Sequence, residues 1–254
     1  MDDLFDDTIN PGDVGIKAGT AGWTDPGLSR NGAFYPRGLT SAAGRLAFYA
    51  RNFHLVEVDS SYYRLPTERN SRLWVERTPA GFTFNVKAFG AFTRHSVLAD
   101  GLPRDLRRLL PSDAEDKGRI SHAAIPEEVQ SELWRRFRSA LLPLHEAGKL
   151  GLVLFQFPKW FVRSRSSFDY LATLPARLPE FRIAIEFRHH SWLAPAQAAE
   201  TLAFLRREGL TYTIVDEPQG YTSSVPCLPA VTTDVAFLRL HGRNTDNWDR
   251  RGAG

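Results

Sequence analysis

Seven short runs of aliphatic, β-branched or aromatic residues recur along the chain, at Val14 to Thr20, Leu55 to Ser61, Phe82 to Ala88, Gly151 to Pro158, Arg182 to His190, Thr211 to Glu217 and Val235 to Arg243. Each is bounded by Gly, Pro or polar residues, the pattern of a strand. Segments of helical period lie between them. Thr40 is a suitable N-cap for Ser41 to Asn52, and Thr67 to Arg77 follows Pro66. Pro126 to Lys149 opens with Glu127 and Glu128, then repeats Val129, Leu133, Phe137 and Leu141 every four residues. Arg165 to Arg177 and Pro195 to Glu208 complete the set. Strand and helix in alternation predict an α/β fold, a mainly parallel sheet with helices outside it. One stretch, Phe89 to Ile125, breaks the rhythm as a long polar insertion with room for a short helix around Leu102 to Leu110. Connections of that length in a domain are functional or partly disordered.

Side chains two apart on a strand share a face. This parity pairs Glu57 with Asp59, Asn85 with Lys87, Gln156 with Leu152 and Leu154, Glu186 with Arg188, Asp216 with Tyr212 and Ile214, and Arg239 with His241. Each polar pair falls late in its strand. Helices cover the outer face of such a sheet, so these groups meet at one end, where parallel barrels build their sites. The expected site therefore has Glu57, Glu186 and His241 as acid and base, with Lys87, Arg188 and Arg239 holding an anion. Asp59, Gln156, His189, Asp216 and Arg243 line the same mouth, and Trp23, Tyr62, His95 and Trp192 are its aromatic contacts. The Gly19 to Trp23 turn places two glycines where backbone amides can approach a ligand.

Composition narrows the chemistry. At 254 residues, with 43% apolar and 24% charged residues, the chain has material for one large barrel and is neither disordered nor collagenous. Its net charge of +3 comes from 32 basic against 29 acidic residues. The basic residues are mostly Arg, with four scattered doublets, and are interleaved with acids, which describes a mixed-sign surface rather than a polyanion track. The carboxylates and histidines are also ligand types for a divalent metal, but three fixed cations would compete for the same acids, so a metal-free anion site is favoured. A glycosidase needs two carboxyls facing one sugar, and Glu57 and Glu186 lie three strands apart. No P-loop, Gly-x-Gly-x-x-Gly or nucleophile-elbow serine is present. The single Cys227 precludes an internal disulfide. The acidic start, MDDLFDDTIN, lacks the basic and apolar pattern of a signal peptide, and Leu150 to Pro158 falls far short of the roughly 20 apolar residues of a membrane helix. These features predict a cytoplasmic protein with no membrane partner.

Several motifs occur together: Gly19-Thr-Ala-Gly-Trp23, Phe34-Tyr-Pro36, FHLVEVDSSYY from Phe53 to Tyr63, Phe84-Asn-Val-Lys87, Thr93-Arg-His95, LGLVLFQFP from Leu150 to Pro158, Glu186-Phe-Arg-His189 with Trp192, and Arg239-Leu-His-Gly-Arg243 with Trp248. In this order they resemble the YecE-like family, also called domain of unknown function 72, over about residues 14 to 250. The resemblance implies a single TIM-type barrel similar to the endonuclease-IV and xylose-isomerase group. With it three readings stand: a hydrolytic or phosphodiesterase-like enzyme acting on an anionic ligand, a nucleic-acid binder, and a non-catalytic scaffold. The repair endonuclease holds three zinc ions, whereas the strand ends here carry Lys87, Gln156, Arg188 and Arg239, which argues against zinc. Family members continue into a further helix and an eighth strand. The sequence ends at Gly254, so the expectation is a barrel domain over 14–254 lacking those elements, preceded by an acidic tail over 1–13.

Overall fold

The computed structural model describes residues 15–29, 34–116, 118–245 and 248; the expected tail over 1–13 and the last residues of the chain lie outside them. Seven parallel strands form one curled sheet in sequence order: β1 (Gly19–Ala21), β2 (Leu55–Val58), β3 (Thr83–Lys87), β4 (Leu150–Gln156), β5 (Ile183–Glu186), β6 (Thr211–Asp216) and β7 (Phe237–Leu240). The long crossover helices are α1 (Ala42–Tyr49), α2 (Glu68–Glu76), α3 (Glu127–Glu146), α4 (Arg165–Arg177) and α5 (Ala198–Arg207). Among the described residues no strand joins β1 to β7, so the sheet is a half-barrel, an incomplete TIM-type barrel. Leu238 and Leu240, on the outer face of β7, stand exposed.

Local chemistry sets the element ends. Ser41, not Thr40, caps α1, its hydroxyl accepting from Gly44 N at 3.1 Å. Thr67 caps α2 through Asn70 N, and Ser164 caps α4 through Ser167 N. The helix expected from Pro195 begins at Ala198, and the strand expected to run to Ser61 stops at Val58, where a helical turn, Ser60–Tyr63, takes over.

Two glycines permit close strand packing. A Cβ on Gly19 would stand 1.8 Å from Leu55 O. The Tyr49 hydroxyl secures that approach by accepting from Thr20 N and donating to Leu55 O, at 2.7 and 3.1 Å. The close approach expected at this turn is therefore to a neighbouring strand, and Gly22 N is itself used, donating to Thr20 O. At Gly151 the sheet holds a bulge: register shifts between Phe84 and Val86, and Asn85 Oδ1 accepts from Leu152 N at 2.9 Å in the space a Cβ would fill.

The main core lies between sheet and helices. Inside the curl is a small second cluster of Leu152, Leu154, Ala184 and Phe237. Alternation carries each of these strands from that apolar floor to a polar group at its C-terminal end: Leu154 to Gln156, Ala184 to Glu186, Phe237 to Arg239. The 89–125 insertion is ordered where described. It carries a three-stranded antiparallel sheet, Val97–Leu98 with Arg119–Ile120 and Glu115–Asp116, and a one-turn helix at Arg104–Arg107. No helix among the described residues is long and apolar enough to cross a membrane.

Candidate functional site

At the C-terminal end of the curl, Arg239 of β7 reaches across the interior. Its Nε and Nη2 donate to the two oxygens of Glu57 on β2, at 2.9 and 2.6 Å, and its Nη1 donates to Glu186 Oε2 on β5 at 2.5 Å. Glu186 is fully buried and its other oxygen accepts from Gln156 Nε2 at 2.7 Å and from His241 Nε2 at 2.9 Å. Arg239 Nη1, which can only donate, also lies 3.2 Å from that imidazole nitrogen, but the carboxylate is the nearer partner at 2.9 Å; with Nε2 as the donor to it, Nδ1 is the ring's acceptor atom. The guanidinium fills the space between the two carboxyls that a sugar would need between a glycosidase pair.

The two carboxyls held by one Arg have opposite tendencies. Burial raises Glu57, up to about 7; Arg239 opposes the rise and Asp59 adds to it. Burial also works against ionised Glu186, but Arg239, His241 and Arg188 outweigh it and hold that carboxyl well below its ordinary range.

Two looser pairs flank this bracket. Lys87 Nζ lies 3.3 Å from Asp59 Oδ1. Arg188 stands 3.5 Å from Glu186 and 3.6 Å from Glu217, with its guanidinium 4.6 Å from the centre of the Trp248 ring. Charge-assisted hydrogen bonds run at about 2.7–2.9 Å, so neither cation is closely neutralised. Asp59 Oδ1 and Glu217 Oε2 are buried and, among the described residues, accept no hydrogen bond. Burial raises Glu217, also to about 7, against Arg188 and the hydrogen bond from Val225 N. Both cations keep some access to the mouth, at 13% and 16% side-chain exposure, whereas Glu217 and Glu186 have none.

Of the residues predicted from the sequence, Glu57, Asp59, Lys87, Gln156, Glu186, Arg188, Arg239 and His241 are brought together. Tyr62 and His95 stand beside them, Tyr62 beneath Lys87 at 5.3 Å and packed edge-on against His95 at 5.3 Å. The others are placed elsewhere. Trp192 is fully buried, stacked on Phe187 at 4.2 Å with Nε1 donating to Phe161 O, so it is core. Trp23 packs edge-on against Trp74 and Phe84 and donates to Ala42 O. His189 accepts from Ser191 N and caps the turn that carries Trp192. Asp216 pairs with exposed Arg243 at 3.2 Å instead of joining the cluster. Register explains this: Arg239 lies opposite Val215, so its face of β6 continues to Glu217, and Asp216 points the other way. Parity within the run alone does not select Glu217; Arg239, counted against β6, supplies the signal.

The family profile described as "Protein of unknown function DUF72" matches residues 17–253. The chain belongs to the DUF72 family. The UPF0759 protein YunF of Bacillus subtilis (strain 168) is 31% identical over 240 residues, 94% of this chain and 74% of YunF. The crystal structure of a DUF72 family protein from Thermotoga maritima MSB8 is 31% identical with a TM-score of 0.68, covering 93% of this chain and 78% of that one. A DUF72 family protein from Enterococcus faecalis V583 is 28% identical with a TM-score of 0.64; the match covers 81% of this chain and 66% of that one, just under two thirds. This DUF72 protein is thus similar in fold to relatives longer than itself, of which it spans 66–78%. Among its described residues no group of three or more His, Cys, Asp or Glu side chains is placed to hold a metal ion.

Proposed function

We propose that the mouth of the half-barrel is an enzyme active site that binds a small anionic ligand, a phosphorylated metabolite, and acts on it by acid–base chemistry. The observation that carries this reading is the contrast between cations. Arg239 is tied to two carboxyls at 2.5–2.9 Å, whereas Lys87 and Arg188 sit at 3.3–3.6 Å from theirs and reach the mouth. Arg239 is thus a bracket, and Lys87 with Arg188 are the groups free to take an anion, Arg188 through its fork of donors. A carboxyl pushed up to about 7 and a neighbour held ionised form the divergent pair used for general acid and base. Glu57 is the proton-transfer group; Glu186 stays charged and orients His241, whose Nδ1 is the second base.

The test is the melting temperature of the protein against a panel of phosphorylated metabolites at low ionic strength. The expected result is a rise with at least one sugar phosphate or nucleotide that disappears in Lys87→Met and Arg188→Met. No rise with any member overturns the anion reading. Salt-dependent stabilisation by single-stranded DNA alone replaces it with a nucleic-acid binder, and a rise without turnover of the ligand leaves a non-catalytic binding barrel.

A further inference from the structure

Beyond the charged cluster, the mouth carries a string of aromatic rings above the ends of β2, β3 and β4. Tyr62, in the turn after β2, stacks edge-on with His95, in the loop after β3, at 5.3 Å and 83°. His95 stacks edge-on with Trp160, in the loop after β4, at 5.5 Å and 70°. The string begins at Lys87, whose ammonium lies over the Tyr62 ring, and ends at Trp160, which is 61% exposed. Trp192 is wholly buried, and Trp74 and Trp134 are nearly so. A tryptophan this exposed at the rim of a polar mouth offers ring surface to a ligand.

The loops hold these rings in place. A Cβ on Gly90 would meet the Tyr62 ring at 3.3 Å, so glycine lets the β3 loop pack against it. Arg94, between Thr93 and His95, adopts a left-handed backbone with φ 66°, a conformation that persists in a non-glycine residue only where its surroundings fix it. Its guanidinium packs 4.0 Å from the Tyr170 ring centre. The Thr93 hydroxyl donates to Gly90 O, so the same oxygen accepts from His95 Nδ1–H at 2.8 Å. That fixes the tautomer and leaves His95 Nε2 as a bare acceptor. Burial, then the charges of Lys87, Arg119, His122 and Arg188, keep the ring neutral, with its pKa lowered to about 4.

We infer that Trp160, His95 and Tyr62 form a subsite for a flat heterocyclic ring, which makes the ligand class a nucleoside monophosphate: ring against Trp160, phosphate at Lys87 and Arg188. This rests on the reading of the mouth as an anion site. The ring, not the phosphate, supplies the discrimination between a nucleotide and a sugar phosphate.

The experiment is calorimetric titration of adenosine 5′-monophosphate and of ribose 5-phosphate into wild type, Trp160→Ala and Trp160→Phe, with circular dichroism to confirm folding. Wild type binds the nucleotide more tightly than the sugar phosphate. Trp160→Ala weakens nucleotide binding roughly tenfold, the scale of one ring stacked on an aromatic side chain, leaves ribose 5-phosphate unchanged, and is rescued by Trp160→Phe. Equal affinity for both ligands, or equal nucleotide affinity in wild type and Trp160→Ala, overturns the ring subsite while the anion reading stands. Binding of neither ligand overturns both. Binding of a single-stranded hexanucleotide but not of the mononucleotide overturns the ligand class in favour of a strand.

Discussion

Arg239 and Glu57, 182 residues apart in sequence, are joined by two charge-assisted hydrogen bonds across the inside of the half-barrel, and the third arm of the same guanidinium holds Glu186. Without an eighth strand among the described residues to couple β7 to β1, this bracket ties the end of the sheet to β2 and β5.

Removing the bracket takes the bidentate partner from buried Glu57 and leaves buried Glu186 to Gln156, His241 and Arg188 alone. Arg239→Met is expected to lower stability by about 3–5 kcal/mol, read as a fall in the urea midpoint. Arg239→Lys recovers little, because an ammonium cannot present a fork to Glu57 and a third arm to Glu186. Adding Glu57→Gln and Glu186→Gln to Arg239→Met restores part of the loss. A loss under about 1 kcal/mol, the scale of an exposed pair, would show that the bracket is not a structural tie.

The raised Glu57 carboxyl gives stability a definite pH dependence. Between its ordinary value, 4.5, and about 7 the folded state holds a proton that the unfolded chain has released. Its contribution is fully favourable below that window and declines as pH rises through it, by up to about 3 kcal/mol. Glu186 has the opposite sign: its contribution is present above 4.5 and is lost as pH falls through its lowered folded value. Urea midpoints at successive pH values should therefore fall relative to Glu57→Gln from pH 4.5 to 7. A pH-independent difference contradicts the raised carboxyl.

Gly151 and Asn85 form a coupled pair, since a Cβ at 151 would stand 2.4 Å from Asn85 Oδ1. Gly151→Ala is expected to cost about 1–3 kcal/mol by overpacking. In a double-mutant cycle with Asn85→Ala the cost is less than additive, because the alanine then enters the vacated space. Strict additivity would show that the Asn85 side chain does not occupy it.

Two tryptophans from similar strand-end loops behave differently. Trp192→Ala removes a buried ring and should cost about 3–5 kcal/mol, while Trp160→Ala changes stability by less than about 0.5 kcal/mol. Thermal midpoints of both variants decide this; comparable losses would mean that Trp160 is packed rather than presented.

These residues also show where sequence reading succeeds and where it stops. Strand–helix alternation is enough for the parallel sheet, and period-two parity alone brings Glu57, Lys87, Gln156, Glu186 and Arg239 to one end, because helices outside a parallel sheet leave a strand's polar groups nowhere else to go. Parity within a run does not say which face of the next strand matches, so it points to Asp216 where inter-strand register places Glu217. Trp192 and Trp160 follow strands in the same way, and only the turn capped by His189, which folds one ring inward over Phe187, separates them. The Asn85–Gly151 contact depends on a bulge that no spacing in either segment announces.

The most direct test of the mouth as an anion site is calorimetric titration of ribose 5-phosphate at pH 7 and low ionic strength into wild type, Lys87→Met, Arg188→Met and, as a control, Arg243→Met. Binding in wild type and in Arg243→Met, weakened at least tenfold in the other two, is the expected result; binding of equal strength in all four, or in none, contradicts it.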